Sequence, residues 1–178
     1  MRNVNWTSVE EAKGFEMIPA GGYVCQILRV EDNEGKEYLN IEFDVTEGER
    51  KDYFSEQAAF LNFWTGKFIK SYKQKAEKFF KSLLTAVEKS NTGFDIQAFN
   101  DPKQLEGKMV GLTIGHEKYL GNDNKEKTRI YVDQTRSVEE IRKGNFDIPK
   151  EKINEKLKNA QSLGSDFSLM DTDDDIPF

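Results

Sequence analysis

The residues of this chain best suited to ligand chemistry are rings and ammonium groups that alternate along one stretch. Residues 51–90 contain eight lysines and four acidic residues. The first part of this stretch, between Lys51 and Lys73, holds seven aromatic side chains: Tyr53, Phe54, Phe60, Phe63, Trp64, Phe68 and Tyr72. Bases of unpaired nucleic acid stack on such rings for about 1 to 3 kcal/mol each, and ammonium groups follow the phosphates. The pattern is therefore typical of a surface that holds a single strand.

The candidate contacts are divided by side-chain type into rings that stack and cations that meet phosphates. The stacking candidates are Phe60, Phe63, Trp64 and Tyr72, the phosphate contacts are Lys67, Lys70 and Lys73, and Arg129 and Tyr131 are additional candidates on the last predicted strand. An alternative explanation stays open. Large aromatics fill cores more often than they bind ligands, and lysines between them often only solvate the outer face.

The net charge hides this basic stretch. The chain has 26 basic and 32 acidic residues, a formal charge of -6 that by itself argues against a nucleic-acid partner. Five of the aspartates lie within residues 166–178, where there is no basic residue, so residues 1–165 are nearly neutral. The sequence thus predicts a basic middle and a separate acidic end.

Several classes of site and location are excluded by composition. One cysteine, Cys25, and one histidine, His116, are too few for a structural zinc site or a disulfide, so no metal or cofactor is expected. The sequence shows no signal peptide and no apolar run of about 18 residues, which predicts a soluble, cytoplasmic protein without a membrane partner. A length of 178 residues favours a single core.

Catalysis finds little support in the sequence. Glu42 and Asp44 share one face of a predicted strand, as carboxylates around Mg²⁺ would, but a solvated strand edge has the same pattern. His116 and Glu117 are adjacent and so point to opposite faces of a strand. There is no glycine-rich phosphate loop, and Gly111 and Gly115 are better explained by a bend or a close backbone approach in a strand. The sequence therefore predicts that the protein is not an enzyme.

Hydrophobic periodicity predicts two hairpins separated by a helix. The predicted strands are residues 23–31, 38–46, 60–64, 108–119 and 127–135, and the predicted helices lie near residues 8–13, 72–90, 137–140 and 149–160. The strand at 60–64 is irregular. In the central helix, Phe79, Leu83 and Val87 are predicted to face the core.

This order of elements matches the five-stranded oligonucleotide/oligosaccharide-binding (OB) fold, a Greek-key barrel with a helix between its third and fourth strands. Ligands of that fold lie across strands two and three, between the loops here expected at residues 32–37 and 118–127. The expected layout is an OB domain at 1–148, a C-terminal helix and spacer at 149–165, and a disordered acidic tail at 166–178.

The C-terminal tail has the most specific motif in the chain. Its last residues are Asp173, Asp174, Asp175, Ile176, Pro177 and Phe178. This DDDIPF ending resembles the acidic tip of bacterial and phage single-stranded DNA-binding proteins, where it docks on replication and recombination proteins. A terminal phenyl ring can fill an apolar pocket while the aspartates meet a basic rim. Low hydrophobicity and high charge also fit a disordered, solubilising tail, and the two roles are compatible.

Further runs resemble the single-stranded DNA-binding proteins of phages and integrated conjugative elements of Gram-positive bacteria. They are IPAGGYV at 18–24, YLNIEFDV at 38–45, FFK at 79–81 and RSVEEIRKGNF at 136–146. The resemblance implies a sequence-nonspecific binder of single-stranded DNA, active in replication and recombination, whose tip recruits partner proteins. The resemblance is also compatible with a homo-oligomer. The alternative is a recruitment adaptor whose folded part binds protein rather than DNA.

Overall fold

One antiparallel sheet carries most of the chain in the computed structural model, which describes residues 5, 7 and 15–170. The strands are β1 (Gly21–Asn33), β2 (Tyr38–Val45), β3 (Lys67–Ser71), β4 (Met109–Leu120), β5 (Glu126–Arg136) and β6 (Lys152–Ile153), and the helices are α1 (Tyr53–Leu61), α2 (Glu77–Ser90), α3 (Val138–Arg142) and α4 (Glu155–Met170). The strand order is β3-β2-β1-β4-β5, with β6 parallel to β4. The predicted helix near residues 8–13 lies outside the described residues.

The two predicted hairpins, β1–β2 and β4–β5, are confirmed. A strict period of two fails in β1, because the register with β2 shifts between Ile27 and Arg29. Ile27 and Val30 are therefore both buried, while Leu28 at the bulge is 43% exposed. A bulge inserts one unpaired residue and so turns the following side chains to the other face.

Residues 53–61, which the sequence left without a clear element, form α1. The predicted third strand at 60–64 is therefore misplaced, and the strand that pairs with β2 begins at Lys67. The carboxylate of Asp44 explains the helix: one oxygen accepts the N–H of Phe54 at 2.9 Å and the other accepts the N–H of Ser55 at 3.0 Å. These donors belong to the first helical turn, which has no internal acceptors. Asp44 is 5% exposed, so its interpretation as part of a solvated edge is wrong.

The central helix α2 is confirmed, but its buried stripe differs from the prediction. Leu83 and Val87 are fully buried, whereas Phe79 is 56% exposed. Phe80 is the ring that packs on the core. The stripe therefore follows positions 80, 83, 84 and 87, which are the spacings of one helix face, and Phe79 lies at its rim.

The main core lies between the sheet and α2. Its fully buried side chains include Cys25, whose thiol has a pKa well above its usual value because of burial and the neighbouring Asp44 charge. A smaller cluster, Val24, Val138 and Ile141, lies where α3 crosses the other face of β1 and β4. Gly111 of β4 makes this crossing possible, because a Cβ there would collide with Ile141.

The C-terminal segment joins the sheet through β6. Asn154 donates its N–H to the carbonyl of Lys118 at 2.8 Å, and Leu157 is 4% exposed. Within the predicted helix at 149–160, Leu157 is helical and buried, while Ile153 lies in β6 and is 38% exposed. Helix α4 begins later than predicted because residues 152–153 pair with β4.

The sheet is open within the described residues. β3 and β5 are its two edges and share no ladder, although α2 packs against β3, β4 and β5. The architecture is therefore a mainly β, antiparallel sheet with one helix lying across the gap between its edges, which is compatible with a barrel-like fold.

Replacing Asp44 with alanine is expected to lower the free energy of unfolding by about 2 to 4 kcal/mol, because the N–H groups of Val45, Phe54 and Ser55 lose their acceptor in a buried site. Urea denaturation followed by tryptophan fluorescence measures this. The matched control is Glu42→Ala on the same strand, expected to change stability by less than about 0.5 kcal/mol. Equal effects of the two substitutions would contradict the capping role.

Candidate nucleic-acid interface

The lysines of residues 51–90 have no ion-pair partner among the carboxylates of the described chain. Cations on the second hairpin behave differently. Lys118 pairs with Glu126 and Glu151, and Arg129 pairs with Glu117. The ammonium groups of the β3–α2 region are therefore not held in salt bridges, and they are available to an anionic ligand.

The aromatic side chains of this region divide into core rings and open rings. Tyr53 and Phe54 are buried at 4% and 1% exposure, which fits the core alternative. Phe60 and Phe63 are each 60% exposed. The Phe60 ring is backed by the ring of Phe15, with centroids 6.3 Å apart and planes 29° apart. Two of the predicted stacking rings thus present a face to solvent.

Trp64 is half-buried and fixed in place. Asn62 ends α1 with a φ of 62°, a left-handed conformation that asparagine tolerates. The chain then turns so that Phe63 is exposed while Trp64 packs against the core. The Trp64 indole N–H donates to the carbonyl of Gly66 at 2.9 Å. A Cβ at Gly66 would collide with the Phe54 ring, so only glycine allows this close approach.

β3 presents different side chains on its two faces. Lys67 and Ile69 are exposed, and Ile69 is 62% exposed despite being apolar. They lie opposite Glu42 and Asn40 of β2. Lys70 points to the other face, where burial lowers the pKa of its ammonium group. Ile69 is not among the predicted contacts because the third strand was predicted too early; period-two alternation from Lys67 places Ile69 on the same face as Lys67.

Tyr72 is held between the first loop and α2. Its hydroxyl donates to the Asp32 carboxylate at 2.8 Å, and its ring meets Phe80 edge to face, with centroids 6.0 Å apart. The hydrogen bond to Asp32 is the main cause that raises the pKa of Tyr72 to about 12. Lys73, the next residue, is exposed. The predicted ligand loop near residues 32–37 is thereby fastened to the end of β3.

The two additional candidates have contacts of their own on the second hairpin. Arg129 donates to Glu117 at 2.6 Å and its guanidinium lies 4.7 Å from the centroid of the Tyr119 ring. The Tyr131 hydroxyl donates to the carbonyl of Lys150 at 2.7 Å. The ammonium group of Lys152 lies 3.9 Å from the centroid of the Tyr131 ring. The structure therefore groups Phe60, Phe63, Trp64, Lys67, Lys70, Tyr72 and Lys73 around β3 and places Arg129 and Tyr131 apart from them.

Within residues 5, 7 and 15–170, every helix is too short or too polar to cross a bilayer. Nor does this part of the chain bring together three His, Cys, Asp or Glu side chains that could hold a metal ion. The predicted partner-binding residues, Asp173 to Phe178, lie outside the described residues.

Replacing Asp32 with asparagine is expected to lower the pKa of Tyr72 from about 12 towards its ordinary value of 10.0, because the charged acceptor is lost. Absorbance titration of tyrosine ionisation, with Tyr72→Phe to identify the transition, measures the shift. Glu34→Gln, which removes only a nearby charge, should change the pKa less. Because the folded-state pKa is raised, the stabilising contribution is complete below pH 10.0 and is lost as pH rises through about 12.

Comparison with known proteins identifies a family but no activity. The chain matches the family described as "Protein of unknown function (DUF669)" over residues 3–142. That range includes both hairpins, α1, α2 and α3, and ends before β6 and α4. The search of curated proteins finds no match. Because the matched range is most of the sequence, this chain belongs to the DUF669 family.

Proposed function

We propose that the chain binds single-stranded DNA without regard to base order and acts in replication or recombination. The observation that carries the proposal is the cluster of lysines in residues 51–90 that lack ion pairs within the described chain, beside the exposed rings of Phe60 and Phe63. Uncompensated ammonium groups attract phosphates of any sequence, and rings stack only on bases that are not paired.

We propose further that the sheet is an open variant of the OB barrel. Three features support this assignment. β1 pairs with both β2 and β4, β3 and β5 form the free edges, and α2 follows β3 and lies over the gap between them. The five-stranded OB barrel has its helix at the same place in the strand order and binds ligands across strands two and three.

The proposed path of the strand follows the outward face of β3. Lys67 and Ile69 lie on this face, Phe63 precedes it and Lys73 follows it. Trp64, anchored on Gly66, adds a fixed ring at the start of the path. Lysines meet phosphates while Phe63 and Ile69 cover bases, which suits a flexible single strand better than a duplex.

The tail completes the proposed role. Asp173, Asp174 and Asp175, with Ile176, Pro177 and Phe178, resemble the acidic tip that recruits replication and recombination proteins. We propose that the tip recruits such proteins to DNA that the folded part has bound. Contacts of this kind are electrostatic and exchange rapidly, which suits recruitment of several partners in turn.

Oligo-dT is expected to quench the fluorescence of a Trp6→Phe variant, in which Trp64 is the remaining indole. Stacking or close approach of a base at Trp64 is the physical reason. The reciprocal variant, Trp64→Phe, is the control and should show a smaller change. Absence of quenching, together with no binding of a labelled oligonucleotide, would refute DNA binding and favour the protein-adaptor alternative.

Affinity for oligo-dT is expected to fall with salt with a log-log slope of about -3 to -4, which corresponds to four to six phosphate contacts at about -0.7 each. Lys67→Gln and Lys73→Gln should each make the slope shallower by about 0.7. Lys143→Gln is the matched control, because Lys143 already pairs with Glu139 in the fold. The measurement is a series of binding titrations at increasing salt; a flat response would exclude the electrostatic mechanism.

A further inference from the structure

A groove of about 640 Å³ lies where α2 faces the last residues of β5, across the open edge of the sheet. It is separate from the outward face of β3. Its lining includes five cationic side chains and one exposed ring: Lys70, Lys78, Lys81, Lys89, Arg136 and Phe79. None of these except Lys70 was predicted to contact a ligand. Phe79 was predicted to face the core.

The positive charge of the groove is not balanced by its two carboxylates. Asp133 pairs with Lys152, and Glu140 accepts hydrogen bonds from the backbone N–H and hydroxyl of Ser137. Glu140 also lies 3.6 Å from the guanidinium of Arg136. The four lysines have no ion pair in the described part of the chain. A concave wall with five cationic side chains and two carboxylates favours a polyanion over a neutral ligand.

The spacing of the cations follows the axis of α2. Lys78, Lys81 and Lys89 all line the groove, and from the first to the last the helix rises about 16 Å at 1.5 Å per residue. Stacked nucleotides rise about 3.4 Å each, so this row spans about five of them. Ser82 and Thr85, between the lysines, offer hydroxyl groups to the same ligand.

The ring of Phe79 gives the groove a feature that a simple anion site does not need. It is 56% exposed at the rim, and the Lys78 ammonium group lies 4.9 Å from its centroid. An exposed phenyl ring beside ammonium groups provides a stacking surface for a base whose phosphates lie on the helix. Ammonium groups that can meet phosphates and an exposed ring that can stack on a base therefore occur together in this groove, as they do around β3.

We propose that this groove holds a second segment of the bound single strand, with its backbone along Lys81 and Lys89 and a base on Phe79. The inference rests on the proposed function, and it extends the contact surface from β3 around Lys70 to α2 and Arg136. Its ligand is the continuation of the same DNA strand. Binding at β3 does not require the groove, so the two proposals are separable.

The test compares dT oligomers of about 4 and about 16 nucleotides, the range of OB-fold site sizes. The double variant Lys81→Gln/Lys89→Gln is expected to bind the longer oligomer with a salt slope about 1.4 shallower than wild type, and to bind the shorter one as wild type does. The matched control, Lys103→Gln/Lys143→Gln, removes the same charge from lysines that do not line the groove and are already paired with Glu106 and Glu139. Phe79→Leu should weaken binding of the longer oligomer about fivefold or more.

The outcomes separate the two proposals. If wild type binds neither oligomer, the proposed function itself fails. If wild type binds both, but the groove variants match the control variant on the longer oligomer, the groove inference alone is overturned. Thermal unfolding of each variant shows that the fold is intact, which is expected because Lys81, Lys89 and Phe79 are exposed.

Discussion

The buried carboxylate of Asp44 is the interaction on which the candidate interface depends. Its oxygens accept the N–H groups that begin α1, and in this way they fix the helix to the end of β2. The end of α1 determines where Phe63 and Trp64 emerge and where β3 starts. A charged group with little solvent contact is tolerated here because it accepts several hydrogen bonds. Without this link, the positions of the exposed rings relative to the lysines of β3 would not be fixed.

The fold distributes charge unevenly between its two halves. On the second hairpin and after it, cations are paired with carboxylates, as at Lys118 and Lys152. Around β3 and α2 the described structure gives the lysines no such partner. Concentrating like charges is unfavourable for the compact state. An arrangement that keeps them together in one region is therefore better explained by an external anion than by stability.

Local signals in the sequence determined the elements that were predicted well. The β4–β5 hairpin follows from alternation, and α3 begins at the capping box of Ser137 and Glu140. The failures have causes that lie elsewhere in the chain. The cap of α1 comes from Asp44, ten residues before Phe54, so the helix has no local start signal. The bulge at Leu28 is set by pairing with β2.

The types of residue in the candidate site were easier to predict from the sequence than their positions in the fold. Alternating rings and lysines indicated the correct region, but only packing decides that Tyr53 is buried and Phe60 is open. Phe79 was predicted to face the core because it has helical spacing to Leu83 and Val87. Phe80 has a similar spacing to the same two residues, and it is the ring that packs inward. The groove across α2 could not be anticipated, since it depends on β3 and β5 failing to pair.

The enclosed position of Cys25 has a practical consequence for spectroscopy. This is the chain's one cysteine, it is fully buried, and burial disfavours its reactive thiolate. While the protein remains folded, maleimide dyes should therefore not react with Cys25. A cysteine introduced on the surface would then carry a fluorophore at a single defined place, with no need to remove the native sulfur first.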